Sequence, residues 1–185
     1  MAFIDTQIRT KFGSYTPITM ADASTIVEIR SGRESSVLTK IDDSLDTQKR
    51  YVAKYLERFN SGEEVYFKIS DIRPNSEVAG LVRVTELGQE GRFNYQSLIF
   101  RDTSTPHLAL DAIFTMYELG FERYDKEICG PWLVPKNGEK IYRLHQTMGM
   151  AIEMCRSERH YFFITTRESF LARKDFFKNF GFGLA

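Results

Sequence analysis

One stretch of this chain admits few topologies. Phe93–Arg101 has the composition of a strand, Pro106–Leu119 is a long apolar segment with helical spacing, and Glu127–Val134 again reads as a strand. A strand, a helix and a strand joined by short loops force a parallel pairing, and such crossovers are right-handed. What precedes this unit is of another kind. Glu64–Ser70 alternates, with Val65, Phe67 and Ile69 on one side and Glu64, Tyr66 and Lys68 on the other. Arg73-Pro-Asn-Ser76 is a turn, Glu77–Glu86 a strand, Gly88-Gln-Glu-Gly91 a second turn. Three strands joined this way form an antiparallel meander that leads into the parallel step. Gly80, inside the second strand, predicts a bulge or a close backbone approach.

The flanks complete the pattern. Lys11–Met20 reads as an opening strand, made irregular by Gly13 and Pro17. Thr19-Met-Ala-Asp22 resembles a capping box with Asp in place of Glu, and the helix it opens fades near Gly32. Ser31–Ser44 reads as a loop. Leu45–Phe59 is a helix, with Val52, Tyr55, Leu56 and Phe59 at i, i+3, i+4 and i+7. Gly120 is expected to close the helix from Pro106, and Gly149 the helix Asn137–Met148. Met150–Cys155 and Tyr161–Thr166 form a ribbon, and Glu168–Phe180 a final helix. The expected fold is α/β (α+β): a mixed, mostly antiparallel central sheet of about seven strands, with helices on both faces, in one domain over residues 1–185.

The 25 basic and 25 acidic residues balance, and there is no basic tract, which argues against a nucleic-acid partner. No apolar run approaches the ~20 residues of a membrane span. The N-terminal segment lacks the apolar core of a secretory signal. The two cysteines, Cys129 and Cys155, then read as reduced thiols of a cytoplasmic protein. The low net charge is compatible with a homodimer. No His, Cys, Asp or Glu cluster has metal-ligand spacing, so no metal is expected.

Two segments carry chemistry. In Phe100-Arg-Asp-Thr-Ser-Thr-Pro-His107, Thr105 is an N-cap and Pro106 sits at the first helical position. The start of a helix exposes N–H groups and a partial positive charge that suit a phosphate. Arg101 adds a guanidinium, and Thr103, Ser104 and Thr105 add hydroxyls. The second segment is Val134-Pro-Lys-Asn137-Gly-Glu-Lys-Ile-Tyr-Arg-Leu-His145-Gln-Thr-Met-Gly149, where His145 lies at the edge of an apolar stripe.

Together these segments resemble the GNAT superfamily of N-acetyltransferases, and in particular the branch of ribosomal-protein alanine and amino-sugar-nucleotide N-acetyltransferases. The resemblance spans about residues 14–166. It rests on "ITMADASTIVEIR", "YVAKYLERFNSGEEVYFKI" and "VAGLVRV". It rests most specifically on the spacing of Asn137, Leu144 and Gly149. It implies acetyl-CoA as the acyl donor. Leu98, Ile99 and Phe100 would pair with its pantetheine by strand addition. Arg101, Thr103, Ser104 and Thr105 would hold its phosphates, with Asn137 as a further contact. The family loop has glycines where this chain has Ser104 and Pro106. At the family's general-acid tyrosine this chain has His145, with Tyr142 one turn away as its substitute.

The implied reaction is direct attack of a primary amine on the thioester in a ternary complex. Glu64, Glu86 and Gln96 are polar strand residues available as a base. Arg30, at the end of the first helix, would hold an acceptor phosphate. A small-molecule amine, such as an amino sugar or its nucleotide, is the first acceptor class, ahead of a protein N-terminus. A non-catalytic protein of this fold is the alternative, because the loop glycines are missing.

Overall fold

The computed structural model describes residues 7–31, 44–73, 76–135, 139–156 and 160–184. Two strands, β1 (Ile8–Arg9) and β2 (Gly13–Pro17), open the chain. A turn of 3-10 helix at Met20–Asp22 leads into α1 (Ala23–Arg30). The Asp22 carboxylate accepts from the Thr19 N–H at 2.8 Å, the reach expected of the acidic partner in a capping box. Helix α2 (Leu45–Asn60) begins at Ser44, whose hydroxyl accepts from the Thr47 N–H.

The meander follows as β3 (Val65–Asp71), β4 (Val78–Thr85) and β5 (Arg92–Phe100), then α3 (Pro106–Glu118) and β6 (Ile128–Pro135). Helix α4 (Glu139–Met148), strands β7 (Ala151–Arg156) and β8 (His160–Thr166) and helix α5 (Arg167–Asn179) complete the chain. Among the described residues the sheet has eight strands in the order β1-β2-β3-β4-β5-β6-β8-β7, one more than the pattern predicts, because the two-residue β1 is too short to alternate. Among the described residues every pairing is antiparallel except β5 with β6.

Two apolar clusters lie on the sheet's two faces. Ile18, Ile26, Ile29, Val52 and Tyr55 pack with Tyr66, Leu81 and Ile99, so α1 and α2 cover one face. Phe67, Val82, Phe93 and Tyr95 pack on the other face with Leu108, Phe114 and Tyr117 of α3 and with Phe170 and Phe177 of α5.

Two glycines act by absence of a side chain. A Cβ at Gly80 would stand 2.5 Å from the Phe100 ring, the predicted close approach, and the β3–β4 register shifts beside it. Gly120 does not end α3 as expected. The helix runs on through a π-type turn at Leu119–Arg123, and Gly120 lets the Phe93 ring lie against the backbone.

Candidate functional site

Strand β5 follows β4 from Asn94 to Phe100, but it meets β6 only at Arg92↔Ile128 and Phe93↔Cys129. Beyond those two pairs the parallel strands part. Between Ile99 and Gln96, β5 carries one residue more than β4 does between Leu81 and Arg83. Ser97 takes up the excess with φ 52°, a bulge that bends the strand. The Arg101 N–H donates to the Ala79 carbonyl at 2.8 Å. Antiparallel ladders alternate, so the N–H and C=O of Phe100, one residue earlier, face away from β4 and toward the gap. The side chains of Leu98 and Phe100 pack on the α3 side, while Ile99 packs under α1 and α2.

Aromatic residues wall the inner end of this gap. The Trp132 ring lies 5.0 Å from Tyr95 and stacks on His145 at 4.9 Å. His145, only 5% exposed, has its Nε2 3.2 Å from the Tyr95 hydroxyl and its Nδ1 3.5 Å from the Tyr117 hydroxyl. Burial pushes the imidazole pKa down to about 4, so the ring is neutral at pH 7. A neutral imidazole still carries one N–H donor and one acceptor nitrogen. Tyr142 is placed differently. Its ring stacks on Tyr161 at 3.9 Å, and its hydroxyl donates to Glu153 and accepts from Gln146. The structure thus sets His145 beside the gap and turns Tyr142 toward β7.

The gap opens at the β5–α3 loop. Thr105 caps α3, its hydroxyl accepting from the Leu108 N–H, with Pro106 in the first turn. Thr103, Thr105 and Pro106 are exposed. Ser104 donates from its hydroxyl to the Ala79 carbonyl at 2.9 Å. Arg101 donates to the Val78 carbonyl at 2.8 Å and pairs with Glu28 of α1 at 2.6 Å. The loop therefore grips β4 through Ser104 and Arg101, leaving the Thr103 and Thr105 hydroxyls at the surface. A cavity of about 320 Å³ lies beside it, lined by Asp71, Arg73, Arg101, Thr103 and Ser104 among others.

Comparison with known proteins bears on this arrangement. No family model matches the chain, and no curated protein does. Solved structures do match. A structure described as apo FdhC, a nucleotide-linked sugar GNAT, superposes with a TM-score of 0.80 at 21% identity, over 95% of this chain and 98% of that one. A chimera of the spermidine N-acetyltransferase SpeG from Vibrio cholerae superposes with a TM-score of 0.72 at 15% identity, over 87% of this chain and 99% of that one. The chain has the GNAT fold. The expected architecture, a mostly antiparallel sheet interrupted by one parallel step, is that fold.

Other sequence-predicted residues fall around the GNAT sheet as follows. Asn137 lies outside the described residues. Arg30, half-buried at the end of α1, lies beside the Tyr66 hydroxyl. Glu64 is buried between Arg58 and Arg83, and Glu86 pairs with Arg92 at 3.0 Å, so both carboxylates already hold cations. Gln96 is exposed on β5.

Tyr95, Tyr117 and Trp132 pack around His145 and are not singled out by the sequence. Each sits in a segment predicted correctly as strand or helix, where a buried aromatic reads as core. Only the parting of β5 from β6 brings them to one place. No helix among the described residues is long and apolar enough to cross a membrane. Among the described residues no group of three or more His, Cys, Asp or Glu is placed to hold a metal ion.

Proposed function

We propose that this chain is a cytoplasmic, acetyl-CoA-dependent N-acetyltransferase whose acceptor is a primary amine of a small molecule, an amino sugar or its nucleotide. The observation that carries the reading is the gap between β5 and β6, with the bulge at Ser97 and the outward-facing backbone of Phe100. An extended strand edge of this kind pairs with the amides of a pantetheine arm as it would with a peptide. The gap leads to the start of α3, where N–H groups and the exposed Thr103 and Thr105 hydroxyls suit a pyrophosphate. These residues fit the donor. When bound, acetyl-CoA supplies an acetyl group activated as a thioester.

In this reading, Leu98 and Phe100 orient the arm through their backbone, while the backbone of Ile99 pairs with Leu81 of β4. Arg101, Thr103, Ser104 and Thr105 surround the phosphate end. Backbone N–H groups of β5 polarise a carbonyl held along the strand. His145 and Tyr95 share a hydrogen bond at the inner wall, 3.2 Å between Nε2 and the phenol oxygen, and burial keeps both groups neutral. Tyr142 supports α4 through Glu153 and Tyr161. Arg30 faces the acceptor. The stronger structural likeness is to a GNAT of nucleotide-linked sugars, which supports that acceptor class.

A second reading is a GNAT-fold protein without transfer activity. It is favoured by the aromatic wall across the gap and by the engagement of Arg101 with Glu28 and Val78. Calorimetric titration with acetyl-CoA separates the two. Saturable micromolar binding, weakened by Arg101→Ala, supports the acetyltransferase. Absence of binding at millimolar acetyl-CoA selects the second reading.

A further inference from the structure

A closed set of rings stands where the gap between β5 and β6 ends. Trp132 of β6 is 9% exposed, and its ring centroid lies 4.9 Å from His145, 5.0 Å from Tyr95, 5.3 Å from Phe163 and 6.0 Å from Tyr117. Tyr95 and Tyr117 meet edge to face at 5.7 Å and close the other side. Rings at these spacings are in van der Waals contact, so no run of methylenes passes between them. Trp132 differs from its neighbours in one respect. The Tyr95 hydroxyl meets His145 and the Tyr117 hydroxyl meets Thr165, but the buried Nε1 of Trp132 has no hydrogen-bond partner among the described residues. Ring contacts hold the indole, and bulk is what it contributes to the wall.

What the wall faces follows from the acetyltransferase reading, on which this inference rests. In that reading the phosphates lie at the start of α3 and the arm pairs with Phe100 and Leu98. The acyl end then lies further back along β5, past the bulge at Ser97 and toward Tyr95. We propose that Trp132 sets the length of acyl chain the donor can carry: the indole stops the chain at an acetyl group and turns longer chains away. Behind the indole stand His145 of α4 and Phe163 of β8. A longer chain therefore gains room only by displacing a packed ring, and close-packed interiors yield little.

Calorimetry with free CoA, acetyl-CoA, butyryl-CoA and hexanoyl-CoA tests this without an acceptor, each thioester being read against free CoA on the same protein. The unchanged protein is expected to bind acetyl-CoA at least about tenfold more tightly than butyryl-CoA, and hexanoyl-CoA more weakly still. Trp132→Ala is expected to shrink the acetyl-to-butyryl difference to about threefold or less. Truncation strands no acceptor, because Nε1 has none, but it does leave a cavity. Trp132→Phe keeps a ring in the wall and is expected to fall between the two, so the series still decides if the alanine variant does not fold. Hexanoyl-CoA bound by the unchanged protein as tightly as acetyl-CoA overturns the proposal. So does a chain-length preference that the Trp132 variants leave intact. In both cases CoA binds, and the acetyltransferase reading stands. If neither CoA nor any thioester binds, that reading falls and the proposal falls with it.

Discussion

The Tyr95 hydroxyl lies 3.2 Å from Nε2 of His145, a contact between a strand and a helix 50 residues apart in the chain. Because burial holds that imidazole near a pKa of about 4, it has a thermodynamic signature. The unfolded chain takes up a proton near pH 6.5, and the folded chain only near 4. Stability therefore falls as pH drops below 6.5 and stops falling below about 4. The full effect is on the order of 3 kcal/mol. Urea unfolding at pH 7.5 and pH 5 should show the loss in the unchanged protein and a smaller loss in His145→Gln. Equal losses in the two proteins would contradict the buried neutral imidazole. In the same account, kcat/KM shows no inflection from His145 between pH 6 and 8.

Thr105 joins stability to the proposed donor site. Its hydroxyl caps α3, so Thr105→Ala should cost about 1 kcal/mol. If the phosphates rest at this helix start, the same change weakens acetyl-CoA binding, and Thr105→Ser restores both properties. Calorimetry and thermal melts on the two variants check this. Lost stability with unchanged affinity would move the phosphates away from α3.

Gly120 is held by the ring of Phe93. A Cβ there would stand 2.1 Å from Cζ of that ring. Gly120→Ala should destabilise by about 1–3 kcal/mol, through overpacking. Adding Phe93→Leu should recover part of the loss, because the two changes share one contact. Denaturant midpoints of the two single variants and the double variant test the coupling.

The chain's last residues close over two buried carboxylates of α3. Asp111 accepts from the Thr10 and Tyr15 hydroxyls, each at 2.6 Å, and from the Gly183 N–H at 2.9 Å. Glu118 accepts from the Leu184 N–H and pairs with Lys178 at 3.0 Å. Burial raises the pKa of both carboxyls, and these N–H groups oppose the rise. A group with a raised folded pKa loses stability as pH rises past its unfolded value. Removing Gly183–Ala185 should therefore destabilise by roughly 1–3 kcal/mol per lost donor. The loss should be larger at pH 8 than at pH 5, as melts at the two values will show.

Much of this is legible in the sequence. Alternation in Glu64–Ser70 and the apolar run after Pro106 reflect burial on one sheet face and around a helix. Those are local patterns, and the structure places β3 and α3 there. The end of α3 departs from the sequence pattern, in which a glycine near a helix end takes a left-handed turn. Gly120 instead serves a contact with Phe93, 27 residues earlier, and no local pattern reports such a partner. The same limit applies at the site. That Arg101 meets Glu28, 73 residues away, and that Tyr95, Trp132 and His145 share one wall are consequences of strand order. Cofactor-loop residues are visible as types, but their partners are decided by the sheet.

The central claim is acetyl transfer, and release of CoA thiol from acetyl-CoA tests it most directly. The assay compares nucleotide-linked amino sugars with no acceptor, and mass spectrometry follows the acceptor. The account predicts acceptor-dependent thiol release matched by an equal amount of N-acetylated product. Acetyl-CoA that binds but yields neither thiol nor product with any amine would contradict it.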